Sequence, residues 1–246
     1  MNVHLAFGGT YFLDEIDTTK LYGLYSYHYA KKDKALLSTI HNWKDFILDS
    51  GIFTYLNGLD GKNVDWNDYV DKYADFVREN KIRNYVEVDV DRLIGLEGVE
   101  ILRERLENRV GWKCIPVWHM NRGYDKWLEI CKNYDYICFG AFITDGLKPS
   151  KYMTIKKFLH DAKKENCKAH GLGMTSFDWL KELKFYSVDS SSWSAGHRFG
   201  TISKFENDRI KVRPKPKNMK FKDYKIVARH NLTEWSKFVE YADNNL

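Results

Sequence analysis

The feature that most constrains the fold is a repeated alternation of short apolar runs with longer amphipathic stretches. Eight runs have the length and composition of strands, at residues 3–7, 23–27, 46–48, 85–90, 113–118, 136–142, 167–171 and 185–188. Between them, helical stretches lie at 66–80, 98–108, 123–133, 153–165 and 176–183. Strands that alternate with helices are typical of βα units and a parallel sheet.

Eight such units within residues 1–202 predict an α/β fold, a (β/α)8 TIM barrel. We expect the remainder, residues 203–246, to form a short basic C-terminal extension that ends in a helix at 232–242. A doubly wound open sheet is the alternative, but no GxGxxG motif follows the first strand. In a barrel of this kind, functional residues gather at the carboxyl ends of the strands.

Composition limits the class of protein. The 246 residues are 43% hydrophobic, enough for one sizeable core. No apolar run reaches the length of a membrane span, and residues 1–9 lack the pattern of a secretory signal. The four cysteines are far apart and form no CxxC pair, so we expect reduced thiols, a cytoplasmic location, no metal site and no cofactor: Cys114, Cys131, Cys138 and Cys167.

The positive charge is concentrated in one segment. The net charge is +5, and residues 203–225 contain nine basic residues against three acidic ones. Such a segment is suited to neutralising nucleic-acid phosphates. A solvated lysine-rich tail is the other interpretation, and composition does not separate the two.

Carboxylates directly after predicted strands are the first candidates for chemistry. Asp49 follows the run 46–48 and opens Asp49-Ser50-Gly51-Ile52-Phe53. A carboxylate followed by a glycine, which lets backbone approach a ligand, suits acid–base work at a barrel mouth. The alternative is an aspartate that caps the next turn.

A second acidic group lies at the end of the fourth predicted strand. Alternation places Glu87, Asp89 and Asp91 on one face of that strand. Three acids on one lumen face are costly to bury without partners, so at least one is expected to meet a donor at the mouth. The alternative is a buried salt bridge with Arg92 or a nearby lysine.

Three further strand ends carry candidate binding groups. His119 ends the fifth predicted strand, as a ligand contact or simply as a hydrogen-bonded wall residue. Gly140-Ala141 and His170-Gly171-Leu172-Gly173 are strand ends of small residues, which expose backbone groups to a planar ligand or serve close helix–strand packing.

Asp189 follows the last predicted strand and completes a possible carboxylate group. In a closed barrel the eighth strand neighbours the first, so Asp189 is expected to converge with Asp49 and Asp89 across the mouth. Two carboxylates around a glycosidic bond can act as nucleophile and as general acid or base. This combination is more specific than any one of its members.

These motifs resemble a known enzyme family. Asp49-Ser50-Gly51-Ile52-Phe53 resembles the Asp-Ser-Gly-Gly-Phe motif of tRNA-guanine transglycosylases. The stretches 170–176 and 185–193, together with Ser26-Tyr27 and 115–119, are more similar still to DNA-guanine transglycosylase-like proteins of phages and bacteria, which place 7-deazaguanines in DNA. The resemblance spans residues 1 to about 202.

The resemblance implies a pentosyltransferase that exchanges guanine for a 7-deazaguanine through a covalent aspartyl-glycosyl intermediate. It assigns Asp189 as nucleophile, Asp49 as general acid and base, and Asp89 or Asp91 as reader of the base edge. It implies that Phe53 stacks on the base. The other expected members of the base pocket are Ser50, Gly51, His119, Gly140, Ala141, Leu172 and Gly173.

Two departures from the family pattern bear on the substrate. Ile52 and Ala141 stand where the family has second glycines, which leaves the pocket width open. The structural zinc site of the tRNA enzymes, Cys-x-Cys-x-x-Cys with a downstream His, is absent, which favours DNA over tRNA. A base in a duplex must first leave the stack. Trp193, Tyr25 or Tyr27 are candidates to fill the gap.

The expected partners are therefore a nucleic acid and a free 7-deazaguanine base, inside a bacterial host if the chain is phage-encoded. Nucleic-acid contacts are expected from Trp193, His197, Arg198, Arg209, Lys211, Arg213 and Lys215. A homodimer or a partner subunit stays open. The competing hypotheses are a tRNA enzyme without zinc, a glycosidase or nucleoside hydrolase acting on small substrates, and a non-catalytic nucleic-acid-binding subunit.

Overall fold

The computed structural model describes residues 1–8, 16–53, 55, 64–140, 151–194, 196, 200–214 and 224–246. Within these ranges one sheet contains eight parallel strands, each of which overlaps a predicted strand: β1 (Asn2–Phe7), β2 (Tyr22–Ser26), β3 (Asp45–Asp49), β4 (Asn84–Tyr85), β5 (Val117–Trp118), β6 (Tyr136–Phe139), β7 (Lys168–Gly171) and β8 (Ser187–Ser190). The alternating α/β architecture is confirmed.

The sheet is curled. Its hydrogen-bonded order is β4-β3-β2-β1-β8-β7-β6-β5. The two outer strands approach each other through an isolated parallel bridge between Val86 and Ile115. Here the N–H of Glu87 donates to the carbonyl of Ile115 (3.0 Å), and the N–H of Ile115 donates to that of Tyr85 (2.8 Å). The sheet is consistent with a TIM-like barrel, with a bridge rather than a ladder between β4 and β5.

Helices flank the sheet, and the described ones are α1 (Tyr27–Ala30), α2 (Lys34–Thr39), α3 (Trp66–Glu79), α4 (Asp91–Val110), α5 (Gly123–Asn133), α6 (Tyr152–Lys164), α7 (Phe177–Glu182) and α8 (Tyr224–Asn245). In α3 the Asp65 side chain caps the first turn by accepting from the N–H groups of Asn67 and Asp68. Helix α4 is interrupted at Gly95, whose φ of 76° is left-handed, and it ends at Gly111.

Alternation along the strands separates two hydrophobic clusters. Side chains at one set of positions fill the lumen, and the apolar ones are Leu24, Ile47, Val86, Ile115, Val117, Tyr136 and Cys138. Their neighbours along the strands, among them Leu5, Leu48 and Phe139, join the larger cluster beneath the helices. The lumen also contains the fully buried polar residues His4, His170 and Ser187, which lie on the adjacent strands β1, β7 and β8.

The C-terminal segment contains a hairpin that the sequence analysis did not predict. Strands β9 (Thr201–Glu206) and β10 (Arg209–Pro214) pair antiparallel. Asn207 and Asp208 connect them with φ of 53° and 65°, the left-handed pair that a two-residue hairpin turn requires.

The last helix belongs to the main core. Leu232, Trp235 and Phe238 of α8 lie in the larger hydrophobic cluster, and the amino group of Met1 donates to the carbonyl of Ala242 (2.9 Å). These contacts integrate the segment after residue 202 with the strands that begin the chain. The predicted helix at 232–242 is the second half of α8.

Two findings concern covalent and membrane features. The four cysteines are buried free thiols. Among the described residues, no helix combines the length and the apolar character needed to cross a membrane.

Candidate functional site

A cavity of about 660 Å³ lies at the carboxyl ends of the strands. Its wall includes nine of the predicted catalytic and base-binding residues: Asp49, Ser50, Phe53, Asp89, His119, Gly140, Leu172, Gly173 and Asp189. They come from segments spread over most of the chain, and the fold brings them together. Phe53 is the most exposed of the large hydrophobic side chains in this wall, with 60% of its surface accessible.

Two tyrosines of α3 hold the strand ends that carry Asp49. The hydroxyl of Tyr69 donates to the carbonyl of Ser50 (2.6 Å). The hydroxyl of Tyr73 lies 3.1 Å from the carbonyl of Leu48 and 2.9 Å from that of Val86, so it links β3 to the chain after β4. Because both tyrosines are buried on the inner face of α3, the helix fixes the backbone on both sides of Asp49.

Gly51 is required for a reason other than the expected close approach of a ligand. Its φ is 82°, and a Cβ there would lie 2.9 Å from both the backbone nitrogen of His28 and the Oγ of Ser26. Gly51 is not part of the cavity wall, although its N–H donates to Oδ2 of Asp49 (2.9 Å). Gly51 therefore contributes to the predicted base pocket only indirectly, because its N–H orients Asp49.

The carboxyl group of Asp49 lies where charge is disfavoured. Burial, reinforced by the nearby charges of Asp189 and Asp89, raises the pKa of Asp49 to about 6, although the Gly51 N–H favours the ionised form. Apolar side chains of Leu24, Val86 and Val117 share the same cavity. Asp49 therefore exchanges a proton close to neutral pH, which is the property of a general acid and base.

Asp89 has two strong partners. Its Oδ2 lies 2.5 Å from Nε2 of His119, and its Oδ1 accepts from the guanidinium of Arg122 (2.7 Å). Burial disfavours the charged form of His119, but the hydrogen bond to Asp89 and the negative charge of that carboxylate together outweigh burial and raise the pKa of His119. The pair therefore favours an imidazolium beside a carboxylate.

Arg122 is the partner of all three acids in the fourth strand segment. This side chain is 2% exposed and also contacts Glu87 (3.3 Å) and Asp91 (3.3 Å). Glu87 is fully buried and has two further donors, Arg103 (3.0 Å) and the N–H of Val117 (2.7 Å). The proposed salt bridge to Arg92 is thus replaced by one to Arg122, while Arg92 lies in the cavity wall.

Asp89, Asp91 and His119 are the described group that could offer ligand atoms to a metal, within 4.8 Å of one another. The same atoms are already bonded, since Arg122 donates to both carboxylates and His119 to Asp89. A guanidinium supplies the positive charge that a metal would otherwise bring, so this group is best described as an ion-pair cluster.

Gly140 provides room for His119. A Cβ at residue 140 would lie 2.5 Å from Cε1 and 2.7 Å from Nδ1 of the His119 ring, which a side chain cannot do without displacing it. The glycine at the end of β6 therefore allows the imidazole to reach Asp89. The neighbouring predicted residue, Ala141, lies outside the described residues.

Asp189 receives two donors from the loop and strand beside it. The N–H of Gly173 donates to its Oδ1 (2.7 Å), and Nε2 of His170 lies 3.3 Å from the same oxygen. Gly173 has a φ of 67°, a left-handed conformation that turns its N–H towards Asp189. Both contacts hold Oδ1 of Asp189 in one position.

The aromatic residues predicted to contact nucleic acid are in the core. Trp193 is 4% exposed, its Nε1–H donates to the carbonyl of Ala6 (2.9 Å), and its ring packs on Phe7. Tyr25 and Tyr27 are also buried. Each ring already has neighbours that make up a hydrophobic cluster, so these placements argue against a role in filling a gap in a base stack.

The basic residues of the hairpin are accessible but partly paired. Lys211 and Arg213 contact Glu206 at 3.1 Å and 2.8 Å, and Arg209 lies 3.7 Å from Asp178 of α7. Lys211 and Arg213 therefore share one acid and Arg209 lies near another, so these cations do not form an unbroken basic row. The predicted residues His197, Arg198 and Lys215 lie outside the described residues.

The sequence analysis missed two residues that organise the site, Arg122 and His170. Arg122 lies in a turn after β5, and the sequence around it has no pattern that predicts a buried cation. His170 appeared only as part of a small-residue strand end, although its inward position on β7 was available from alternation. Comparison with models of protein families and with curated proteins finds no match for this chain.

Proposed function

We propose that the protein exchanges guanine for a 7-deazaguanine in DNA, with Asp189 as nucleophile and Asp49 as general acid and base. The observation that carries the proposal is that both carboxyl groups line one cavity in different environments. Asp49 has a pKa of about 6, whereas Asp189 accepts two hydrogen bonds on one oxygen. Pairs of carboxyl groups whose surroundings push their protonation apart divide the roles of acid and nucleophile.

The proposed reaction has two matched halves. An oxygen of Asp189 attacks C1′ of the nucleotide, the C1′–N9 bond breaks with its electron pair on the base, and Asp49 gives its proton to the departing guanine. The incoming base then loses a proton to Asp49 and attacks C1′, which releases Asp189. The two half-reactions are mirror images, so one acid–base group near neutral pH serves both.

The proposed base pocket uses the remaining wall residues. Asp89, held between His119 and Arg122, has acceptor positions for the N–H groups of a guanine edge. Phe53 is exposed at the cavity and suits stacking on a flat base. Gly140, Leu172 and Gly173 contribute backbone to the wall. The proposal includes a complete (β/α)8 barrel, for which the Val86–Ile115 bridge is the supporting contact.

The test is the incorporation of labelled guanine into duplex DNA and, in parallel, into tRNA. We expect labelled DNA, and a covalent adduct that survives denaturation when the incoming base is withheld. Asp189→Asn should abolish both, and Asp49→Asn should lower the rate by about 10²–10⁴. Asp125→Asn, a change at an exposed aspartate of α5, is the matched control.

Each alternative function has its own outcome in this test. Labelled tRNA would replace DNA as the substrate. Hydrolysis of free nucleosides would indicate a hydrolase. Salt-dependent DNA binding without turnover, unchanged in both Asp variants, would contradict the proposal and indicate a binding subunit.

We propose that the hairpin β9–β10 contacts phosphates through Lys211 and Arg213, the latter 60% exposed. Changing both to Gln should flatten the dependence of log Kd on log salt by about two charges, with little change in the rate at saturating DNA. Lys72→Gln and Lys163→Gln together, which remove the same charge from α3 and α6, control for net charge. An unchanged slope of log Kd against log salt would contradict a contact between the hairpin and DNA phosphates.

A further inference from the structure

A row of polar side chains runs through the lumen behind Asp189. The hydroxyl of Tyr136 lies 2.5 Å from Oγ of Ser187, which lies 2.6 Å from Nδ1 of His170. Nε2 of His170 in turn lies 3.3 Å from Oδ1 of Asp189. The three residues occupy inward positions on β6, β8 and β7, and the parallel register sets His170 directly beside Ser187.

This row is enclosed. His170 and Ser187 have no accessible surface, and Tyr136 is 9% exposed. The nearest other ring is that of His4, edge-on to His170 at 5.6 Å between centroids, with Asp45 beyond it at 3.5 Å from Nε2 of His4. Burial lowers the pKa of His4, so the neighbour of His170 is a neutral ring. His170 is absent from the cavity wall, so it touches Asp189 from behind.

The chemistry of the partners sets the direction of every bond in the row. Oδ1 of an ionised Asp189 only accepts, so Nε2 of His170 must carry a hydrogen. In a neutral imidazole Nδ1 then accepts, and its only partner in the row, Ser187, must donate to it. The Ser187 oxygen is left to accept from Tyr136, whose burial raises its pKa well above the ordinary value and keeps its proton in place.

We propose that His170 is a positioning residue for Asp189: the carboxylate sets the tautomer with hydrogen on Nε2, and Ser187, supported by Tyr136, holds the ring in place through Nδ1. The inference rests on the proposed function, because it gives the row a role in preparing the nucleophile. His170 and the Gly173 N–H both bind Oδ1, which leaves Oδ2 as the oxygen that forms the bond to C1′. No proton moves along the row in this step.

Loss of the Ser187 hydroxyl should unlock the ring. In Ser187→Ala, Nδ1 has no donor, so the ring loses the contact that holds it against Asp189, although the carboxylate still favours hydrogen on Nε2. The ring then shifts, its bond to Oδ1 weakens, and the carboxylate is no longer held in its attacking position. A misplaced nucleophile lowers the rate of bond formation while leaving the base pocket intact.

The kinetic test compares variants along the row. For adduct formation with DNA, Ser187→Ala should lower kcat by about 10–100-fold with KM within about twofold, and Tyr136→Phe should have a smaller effect in the same direction. His170→Gln, whose side-chain amide can donate to Asp189, should retain more activity than His170→Leu. Changes confined to KM, or equal activity of the Gln and Leu variants, would overturn the positioning role.

A spectroscopic test does not need activity. In protein labelled with ¹⁵N-histidine, the His170 ring should show hydrogen on Nε2, and in Ser187→Ala the Nδ1 signal should move because that nitrogen loses its hydrogen-bond donor. The amide proton of Gly173, which reports the orientation of Asp189, should move upfield in Ser187→Ala. The amide proton of Gly200, bonded to the carbonyl of Gly196, should stay where it is and serve as the folding control.

The two tests separate the two proposals. If the wild type exchanges no base while the His170 and Gly173 signals respond as expected, the positioning of Asp189 is supported and the proposed base exchange is contradicted. If the wild type exchanges base but Ser187→Ala changes neither kcat nor the Gly173 amide, the positioning role falls and base exchange stands. A wild-type His170 with hydrogen on Nδ1 would also overturn the positioning role.

Discussion

Asp49 and Asp189 have the same side chain and line the same cavity, but the curled sheet surrounds them differently. Asp49, at the end of β3, has a single backbone donor and apolar neighbours, and its pKa is raised to about 6. Asp189, on β8, accepts from a backbone N–H and from a histidine that belongs to a buried polar row. The comparison teaches that the lumen behind a carboxyl group, more than the carboxyl group itself, decides its chemistry.

The lumen has an apolar half and a polar half, which correspond to the different surroundings of Asp49 and Asp189. Strands β2 to β6 fill it mainly with apolar side chains, such as Leu24, Ile47 and Val117. Strands β7, β8 and β1 contribute His170, Ser187 and His4. Charge is costly in the first half unless it is paired, whereas the second half provides hydrogen-bond donors to Asp189. The predictions below test this division, beginning with the largest expected effect.

Charge in the apolar half should depend on Arg122. Arg122→Gln leaves Glu87, Asp89 and Asp91 without their shared cation, so the free energy of unfolding should fall by about 3–5 kcal/mol. Urea denaturation measures the change. Arg105→Gln is the matched control, because it breaks a half-exposed ion pair with Asp71 and should cost less than about 1 kcal/mol. Equal losses would mean that the acids do not need their cation.

The second prediction compares how Asp49 and Asp189 affect the pH dependence of stability. The raised pKa means that folded Asp49 keeps its proton at a pH where the unfolded chain has lost it. Its contribution to stability is therefore complete below about pH 4 and is lost as the pH rises through about 6. Asp49→Asn removes the penalty, so it should raise the free energy of unfolding by about 2 kcal/mol at pH 7–8.

The comparison variant for this prediction is Asp189→Asn. It removes a charge that two hydrogen bonds stabilise, so no gain is expected at pH 7–8. Urea denaturation at several pH values measures both variants, and the gain of Asp49→Asn should disappear towards pH 4. If both variants gained equally, the contrast between the two halves of the lumen would be lost.

A third prediction places a polar group in the apolar half. Cys138 is fully buried in the lumen cluster. Cys138→Ser should lower the free energy of unfolding by about 1–2 kcal/mol, because the hydroxyl loses its water without an assured partner. Cys138→Ala, of similar size to serine but without a hydroxyl, should stay closer to the wild type. Thermal unfolding of the two variants side by side measures the difference, and a harmless serine would show that this half tolerates polarity.

The local sequence pattern was sufficient to predict the strands. It could not predict which residues of distant segments pair with one another. The apolar run 46–48 defined β3 because polar residues bound it on both sides. The run 85–90 was predicted as one strand, but β4 covers only Asn84–Tyr85, and the residues after it form an isolated bridge between Val86 and Ile115 instead of a continued ladder. The partner of an acid lies in another segment, and charge alone favoured the adjacent Arg92 over Arg122.

Two features had local signals that went unused. Residues 209–213 alternate polar and apolar side chains directly after Asn207-Asp208, a pair that accepts left-handed backbone, but the segment was interpreted only through its basic charge. The row Tyr136–Ser187–His170 occupies inward positions on three adjacent strands, so alternation together with the predicted strand order contained it. Neither signal gives the distances that distinguish a wall residue from a hydrogen-bonded partner.

The smallest expected effect concerns His119, which connects the ion-pair cluster to the cavity. Gly140→Ala would bring a Cβ to 2.5 Å from the His119 ring, so the imidazole must shift and loosen its bond to Asp89. Under the proposed function, KM for the incoming base should rise about tenfold, equivalent to about 1.4 kcal/mol, with little change in kcat. Gly8→Ala, at a position with open space around it, is the control. A fall in kcat with an unchanged KM would contradict this prediction. It would mean that His119 acts with the reacting group Asp49 and not with the residues that only hold the base.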